Sequence, residues 1–168
     1  MNNLDLPPEV ARLFALAGWK DGRQAAAPPF ADTAHPAEEV LRSFAGLVVR
    51  PEKEGVECGA STVSFGSVEV RDPLVAEWEV LLDTKLVPIG ECDFGHDALL
   101  MATDGRCFGL SYIHEAFYFH GNTLREAITR ILTGRRARPM LLPRQSSVTL
   151  YGEVFNQNSP SLYTPAAR

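Results

Sequence analysis

Apolar residues recur along the chain with two spacings, and the spacing changes from segment to segment. Val10, Leu13, Phe14 and Ala17 stand at i, i+3, i+4 and i+7, one face of a helix that Asp5 and a Pro-Pro pair introduce and Gly18 ends. Residues 20–34 have no period and read as a loop. A second helix is expected in HPAEEVLRSFAG: Pro36 suits its first turn, Glu38 and Glu39 complement the helix dipole, and Val40, Leu41 and Phe44 turn inward before Gly46. GLVVRP reads as a short strand. STVSFGSVEV alternates with Val63 and Phe65 on one side, then shifts phase at Gly66 toward Val68 and Val70, which implies a bulge or a turn.

Asp72 and Pro73 then open a third helix whose expected apolar face is Leu74, Trp78, Leu81 and Leu82. KLVPIGE returns to extended chain. ALLMAT and RCFGLSY flank Asp104-Gly105, a strong hairpin signal, and EAFYFH reads as a further strand. A fourth helix carries Leu124, Ile128, Ile131 and Leu132, with Asn122 as its cap or Thr123 and Glu126 as a capping box, and ends at Gly134. Helices at both ends of a run of hairpins, without βαβ alternation, imply an α+β fold: a mostly antiparallel sheet with about four helices packed against it. Residues 1–134 are read as the domain. Residues 135–168 are read as a C-terminal extension with weak strand character, room for one edge strand, and then a tail of disorder-like composition.

Composition narrows the function. With 168 residues and 45% hydrophobic content the chain has ample material for a packed core. No run approaches the roughly 18 to 20 apolar residues of a membrane span. The start lacks the basic-then-apolar order of a signal peptide, so a cytoplasmic protein without a membrane partner is expected. The three cysteines, Cys58, Cys92 and Cys107, form no C-x-x-C pair and fit reduced thiols. The net charge of −5 is uneven: residues 1–84 hold 14 acids and 7 bases, residues 85–168 hold 7 acids and 9 bases. An acidic body favours a basic protein partner over direct contact with nucleic acid.

The stretch from Pro88 to Tyr112 concentrates the candidate chemistry, with Glu91, Asp93, His96 and Asp97 within seven positions. Cys92 and His96, with Cys107 and His114 downstream, lack the tight ligand pairs of a structural zinc site and read as buried thiols and surface imidazole. An acidic neighbourhood raises a thiol's pKa, which argues against Cys92 as a nucleophile. There is no nucleophile elbow and no phosphate-binding glycine motif. Carboxylates in a loop before a hairpin are ordinarily solvated, so neither a catalytic residue, a cofactor nor a metal is assigned. Trp19 and Trp78 read as core, and Arg135, Arg136 and Arg138 as charges that stabilise a helix end.

The order of several short motifs carries a family resemblance. Gly18-Trp19 followed by Gly22-Arg23, the helix from His35 to Phe44, the segment Pro88 to Gly95, the turn Asp104-Gly105-Arg106, and the helix with Glu126-Ala127 ending at Leu132-Thr133-Gly134 together resemble the SUKH superfamily. Within it the chain is most similar to the SUKH-3 group of bacterial immunity proteins. The resemblance implies a nonenzymatic protein that binds and neutralises a cognate polymorphic toxin, often a nuclease or nucleic-acid deaminase. Glu91, Asp93, His96, Asp97, Asp104, Tyr112 and Glu115 are the expected partner-facing residues. A small-ligand or regulatory scaffold of the same fold is the alternative, with a pocket that includes His96 or Tyr112. A monomer is expected, since no helix shows a spare apolar stripe, while an unpaired strand edge would support a dimer.

Overall fold

The computed structural model describes residues 5–26 and 34–165. The Ala-Pro-rich part of the expected first loop, residues 27–33, lies outside the described residues, as do the first four residues and the last three of the tail.

Four helices form where the patterns place them, and local chemistry sets each start. Helix α1 (Pro8–Leu16) opens with proline in its first turn, where a missing N–H costs nothing. Helix α2 (Pro36–Phe44) is capped by His35, whose Nδ1 accepts from the Ala37 N–H at 3.1 Å. Helix α3 (Pro73–Leu82) is capped by Asp72, which accepts from the Leu74 N–H at 2.8 Å. Leu81 departs from its expected inward face and is 48% exposed. Helix α4 (Leu124–Leu132) starts at Thr123, which accepts from the Glu126 N–H, while the Glu126 carboxylate reaches back to the Asn122 N–H at 2.8 Å.

Among the described residues seven strands make one antiparallel sheet in chain order: β1 (Val48–Val49), β2 (Val63–Phe65), β3 (Leu86–Cys92), β4 (Asp97–Ala102), β5 (Cys107–Ser111), β6 (Ala116–Gly121) and β7 (Arg138–Met140). The fold is therefore α+β, with a mostly antiparallel sheet. At the phase shift before Val68 and Val70 the chain bends at Gly66 and leaves the sheet, since β2 ends at Phe65.

Both faces of the sheet are covered, which is why β4 and β6 read as continuous apolar runs instead of alternating ones. On one face Leu99, Met101 and Cys107 pack under α1, α2 and α4, through Phe14, Phe44, Ile128 and Leu132. On the other, Leu100, Phe108, Phe117 and Phe119 pack under α3, with Trp78 stacked on Phe117 at 5.3 Å between ring centroids.

Residues 135–165 are tied to this body. Strand β7 extends the sheet from β6, and a separate hairpin, β8 (Ser147–Leu150) and β9 (Glu153–Asn156), packs Val148, Leu150 and Phe155 with Ala116 and Tyr118. Further on, Tyr163 stacks on Phe119 with centroids 3.9 Å apart. Of the arginines after α4, Arg136 and Arg138 reach these residues, while Arg135 pairs with Glu57 at 3.5 Å. Arg136 pairs with Glu153 at 2.7 Å and lies over the Tyr151 ring, and Arg138 donates to the Leu162 carbonyl at 2.5 Å.

Candidate functional site

The β3–β4 turn (93–96) and the β5–β6 turn (112–115) leave the same end of the sheet, because β3 to β6 are successive antiparallel strands. The Tyr112 N–H donates to the His96 carbonyl at 3.0 Å and joins them. The first turn is tightly wound, with Asp93, Phe94 and Gly95 all at positive φ, 47°, 60° and 90°. For Phe94 this left-handed backbone is strained, whereas an aspartate such as Asp93 tolerates it. Asp93 is clamped in place by Thr62: its N–H donates to the Thr62 carbonyl, and its carboxylate accepts from the Thr62 N–H, each at 3.0 Å.

Beneath these turns lies a cavity of about 320 Å³. Its floor is the sheet face that α4 leaves uncovered, carrying Cys92, Asp97, Ser111, Tyr118 and His120. Its walls come from the loop at 58–61, the end of α4 around Ile131 and Gly134, and the β8–β9 hairpin at Leu150, Tyr151 and Gly152. The loop is held to α4 by backbone bonds, with Glu57 and Cys58 N–H groups both donating to the Gly134 carbonyl. Tyr151 holds the hairpin in place, its hydroxyl accepting from the Ala137 N–H at 2.8 Å.

Burial dominates the electrostatics of the floor. The Asp97 carboxyl is pushed above the ordinary carboxylate range by burial, only partly countered by the Ser111 and Tyr118 hydroxyls that it faces. Its Oδ1 is buried without a hydrogen-bond partner. Tyr118 is held neutral, well above the usual tyrosine range, by burial and then by Asp97. His120 is lowered to about 3 by burial and then by Arg130, so it is neutral at physiological pH, and its Nδ1 is also buried and unpaired. Burial raises all three thiols; at Cys92 the carboxylates Asp97, Asp93 and Glu91 add to it. None of these thiols has the lowered pKa of a nucleophile.

The structure gathers most of the residues singled out from sequence at this end. Asp93, His96 and Asp97 line the cavity. Glu91 lies on the opposite sheet face, paired in register with Ala98, and Tyr112 stands near it, its phenol raised by burial and then by Asp72 and Glu91. Glu115 sits in the neighbouring turn at φ 48°. Asp104 is not part of the group: it lies in the β4–β5 turn at the far end of the sheet, paired with Arg106 at 2.8 Å.

Ser111, Tyr118 and His120 were missed by sequence reasoning, as were the exposed apolar residues beside the cavity. Phe94 is 71% exposed and Ile113 60% exposed, each in one of the two turns. Polar residues inside otherwise apolar strands, at positions facing one side of successive hairpins, were the available signal. Among the described residues, no three His, Cys, Asp or Glu side chains stand together in a way that could hold a metal ion, and no helix is long and apolar enough to cross a membrane.

A family model described as SUKH-3 immunity protein matches residues 6–134. The chain belongs to the SUKH-3 immunity protein family. No curated protein and no solved structure matches it. The matched SUKH-3 region takes in α1 to α4 and strands β1 to β6, including both turns and the cavity floor. The Tyr151 wall lies beyond it.

Proposed function

We propose that this SUKH-3 protein protects a cell by binding one cognate toxin stoichiometrically, without chemistry of its own. The toxin is a nuclease or nucleic-acid deaminase, whose nucleic-acid cleft is basic, and the chain docks to it as a monomer in the cytoplasm. The observation that carries this reading is the end of the sheet where Phe94 and Ile113 stand exposed among Glu91, Asp93, Asp97 and Glu115. Large apolar side chains set among mostly acidic neighbours are the make-up of a protein-binding surface: the apolar groups supply affinity and the acids steer a basic partner.

The test is a pull-down from the native host at two salt concentrations, followed by co-expression of the recovered toxin domain with this chain. Growth arrest relieved by a one-to-one complex, with association slowed by salt, is the expected result. A toxin domain that is relieved without a complex, or no toxin at all, overturns the reading.

A second reading, a ligand-binding scaffold, has one observation in its favour, the 320 Å³ cavity with its buried polar floor. Pockets for small ligands run from roughly 300 to 1,000 Å³, so this one falls at the small end of that range. Native mass spectrometry of the purified chain decides whether a metabolite travels with it.

A further inference from the structure

The cavity and the proposed docking surface occupy the same end of the sheet, and the chemistry of the floor constrains what can enter. Asp97 supplies a half-buried carboxyl that is in none of the ion pairs among the described residues and has one oxygen without a hydrogen bond. Asp93 adds a second acid in the lining. Among the described residues Arg135 is the one arginine or lysine in the lining, its guanidinium turned to Glu57 at 3.5 Å, and Arg130, beside His120, donates to the His120 and Arg136 carbonyls at 2.8 and 2.6 Å. His96 and His114 lie in the two turns, exposed to solvent. His120, 8% exposed, leaves Nδ1 unpaired in a neutral ring.

An acidic hollow whose Asp97 Oδ1 and His120 Nδ1 have no protein partner repels anions and offers acceptors to a donor that enters. A group that brings both positive charge and N–H donors complements it. The volume has ample room for the end of one side chain, and the acids in the lining, rather than its size, disfavour a phosphate.

We infer that this cavity seats one cationic side chain of the partner protein, an arginine guanidinium or a lysine ammonium, against Asp97, with Ile113 in the lining and Phe94 exposed in the neighbouring turn. The inference rests on the reading of the chain as a toxin binder. Burial of the charge under apolar neighbours excludes water and strengthens its pairing with Asp97, as at the centre of a protein interface.

Two arms test it. In the first, N-acetyl-arginine amide, N-acetyl-lysine amide and the neutral N-acetyl-glutamine amide are titrated into the full chain and followed by amide and carboxyl NMR. The cationic probes are expected to shift Asp97, Ser111, Tyr118 and His120 and to lower the titration midpoint of the Asp97 carboxyl. The neutral probe and the Asp97→Asn variant are expected to bind at least about tenfold more weakly. Equal response to the neutral probe, shifts elsewhere, or no shift in the tens of millimolar overturns the site.

In the second arm, toxin affinity is compared between the wild-type chain and Asp97→Asn, with folding of the variant checked by thermal denaturation. A loss of at least about tenfold supports the seat. Unchanged affinity overturns it while leaving the immunity reading intact, whereas a wild-type chain that binds no toxin overturns the immunity reading itself.

Discussion

Gly109 lies directly across the β5–β6 pairing from Tyr118, and the Tyr118 ring occupies the space where a side chain at 109 would be. A Cβ there would stand 2.0 Å from the Tyr118 Cε2 atom. The missing side chain lets the ring lie flat across β5, where its hydroxyl faces Asp97. Gly109→Ala is therefore expected to push the ring off the sheet, at a cost of about 1 to 3 kcal/mol for overpacking. Urea unfolding measures that cost. Loss of the Asp97 shifts on addition of arginine amide reports the accompanying change in the cavity.

Asp97 links the cavity to stability. Its folded-state pKa lies above the unfolded value, so its contribution to stability is present below the unfolded pKa and is lost as pH rises through the folded one. At neutral pH the charged carboxyl therefore works against the fold. Asp97→Asn is expected to raise the melting temperature at neutral pH, and the gain should vanish on acidification below the ordinary carboxylate pKa of about 3.9. Thermal melts of both proteins across that range check it. A variant more stable and less able to bind its partner would mark Asp97 as retained for binding.

His120 has the opposite sign. Its pKa is about 3 in the folded chain, against about 6.5 for an unperturbed imidazole. A depressed pKa gives stability that is present above the unfolded value and lost as pH falls, because the unfolded chain takes up the proton. Between those limits the loss approaches about 1.4 kcal/mol per pH unit. Denaturant unfolding between neutral pH and mild acid is expected to show this slope in the wild type and a shallower one in His120→Gln, whatever offset in stability the substitution brings.

How far the sequence revealed this arrangement depends on how local each signal is. Caps and turns depend on neighbours a few positions apart, so Asp72-Pro73, Thr123 with Glu126, and Asp104-Gly105 announced α3, α4 and the β4–β5 turn. The acidic end of the sheet was legible for the same reason, since Glu91 to Asp97 are consecutive. The cavity was not legible, because Asp97, Ser111, Tyr118 and Tyr151 come together only through strand register and the fold-back of a distant hairpin. Asp104 shows the converse: seven residues from Asp97 in sequence, it is carried to the far end of the sheet by one strand.

The attachment of residues 135–165 sets another expectation. Tyr163 covers Phe119 and closes the second core at its edge, and its N–H donates to the Pro139 carbonyl at 2.9 Å. Tyr163→Ala is expected to cost about 2 to 3 kcal/mol, below the usual penalty for a fully buried aromatic because the ring is partly exposed. Truncation after Gly134 goes further, stripping β7 from β6 and baring Phe119 and Tyr118, so the shortened chain is expected to aggregate. Chemical denaturation of the point variant and light scattering of the truncation are the measurements.

Phe94 offers the sharpest separation of binding from folding. It is a large apolar side chain, 71% exposed, held at φ 60° between two other positive-φ residues. A left-handed backbone costs an ordinary residue roughly 1 to 2 kcal/mol, and exposure returns little of that through packing. Asparagine tolerates this conformation better, so Phe94→Asn is expected to leave stability unchanged or raise it by up to about 1 kcal/mol. The same substitution removes an aromatic anchor from the docking surface, and anchors of this kind commonly carry about 2 kcal/mol or more of binding free energy. Toxin affinity should therefore fall while the melting temperature holds or rises. If affinity is unchanged, the strain at Phe94 does not serve this interface, and the docking surface has to be sought on another face.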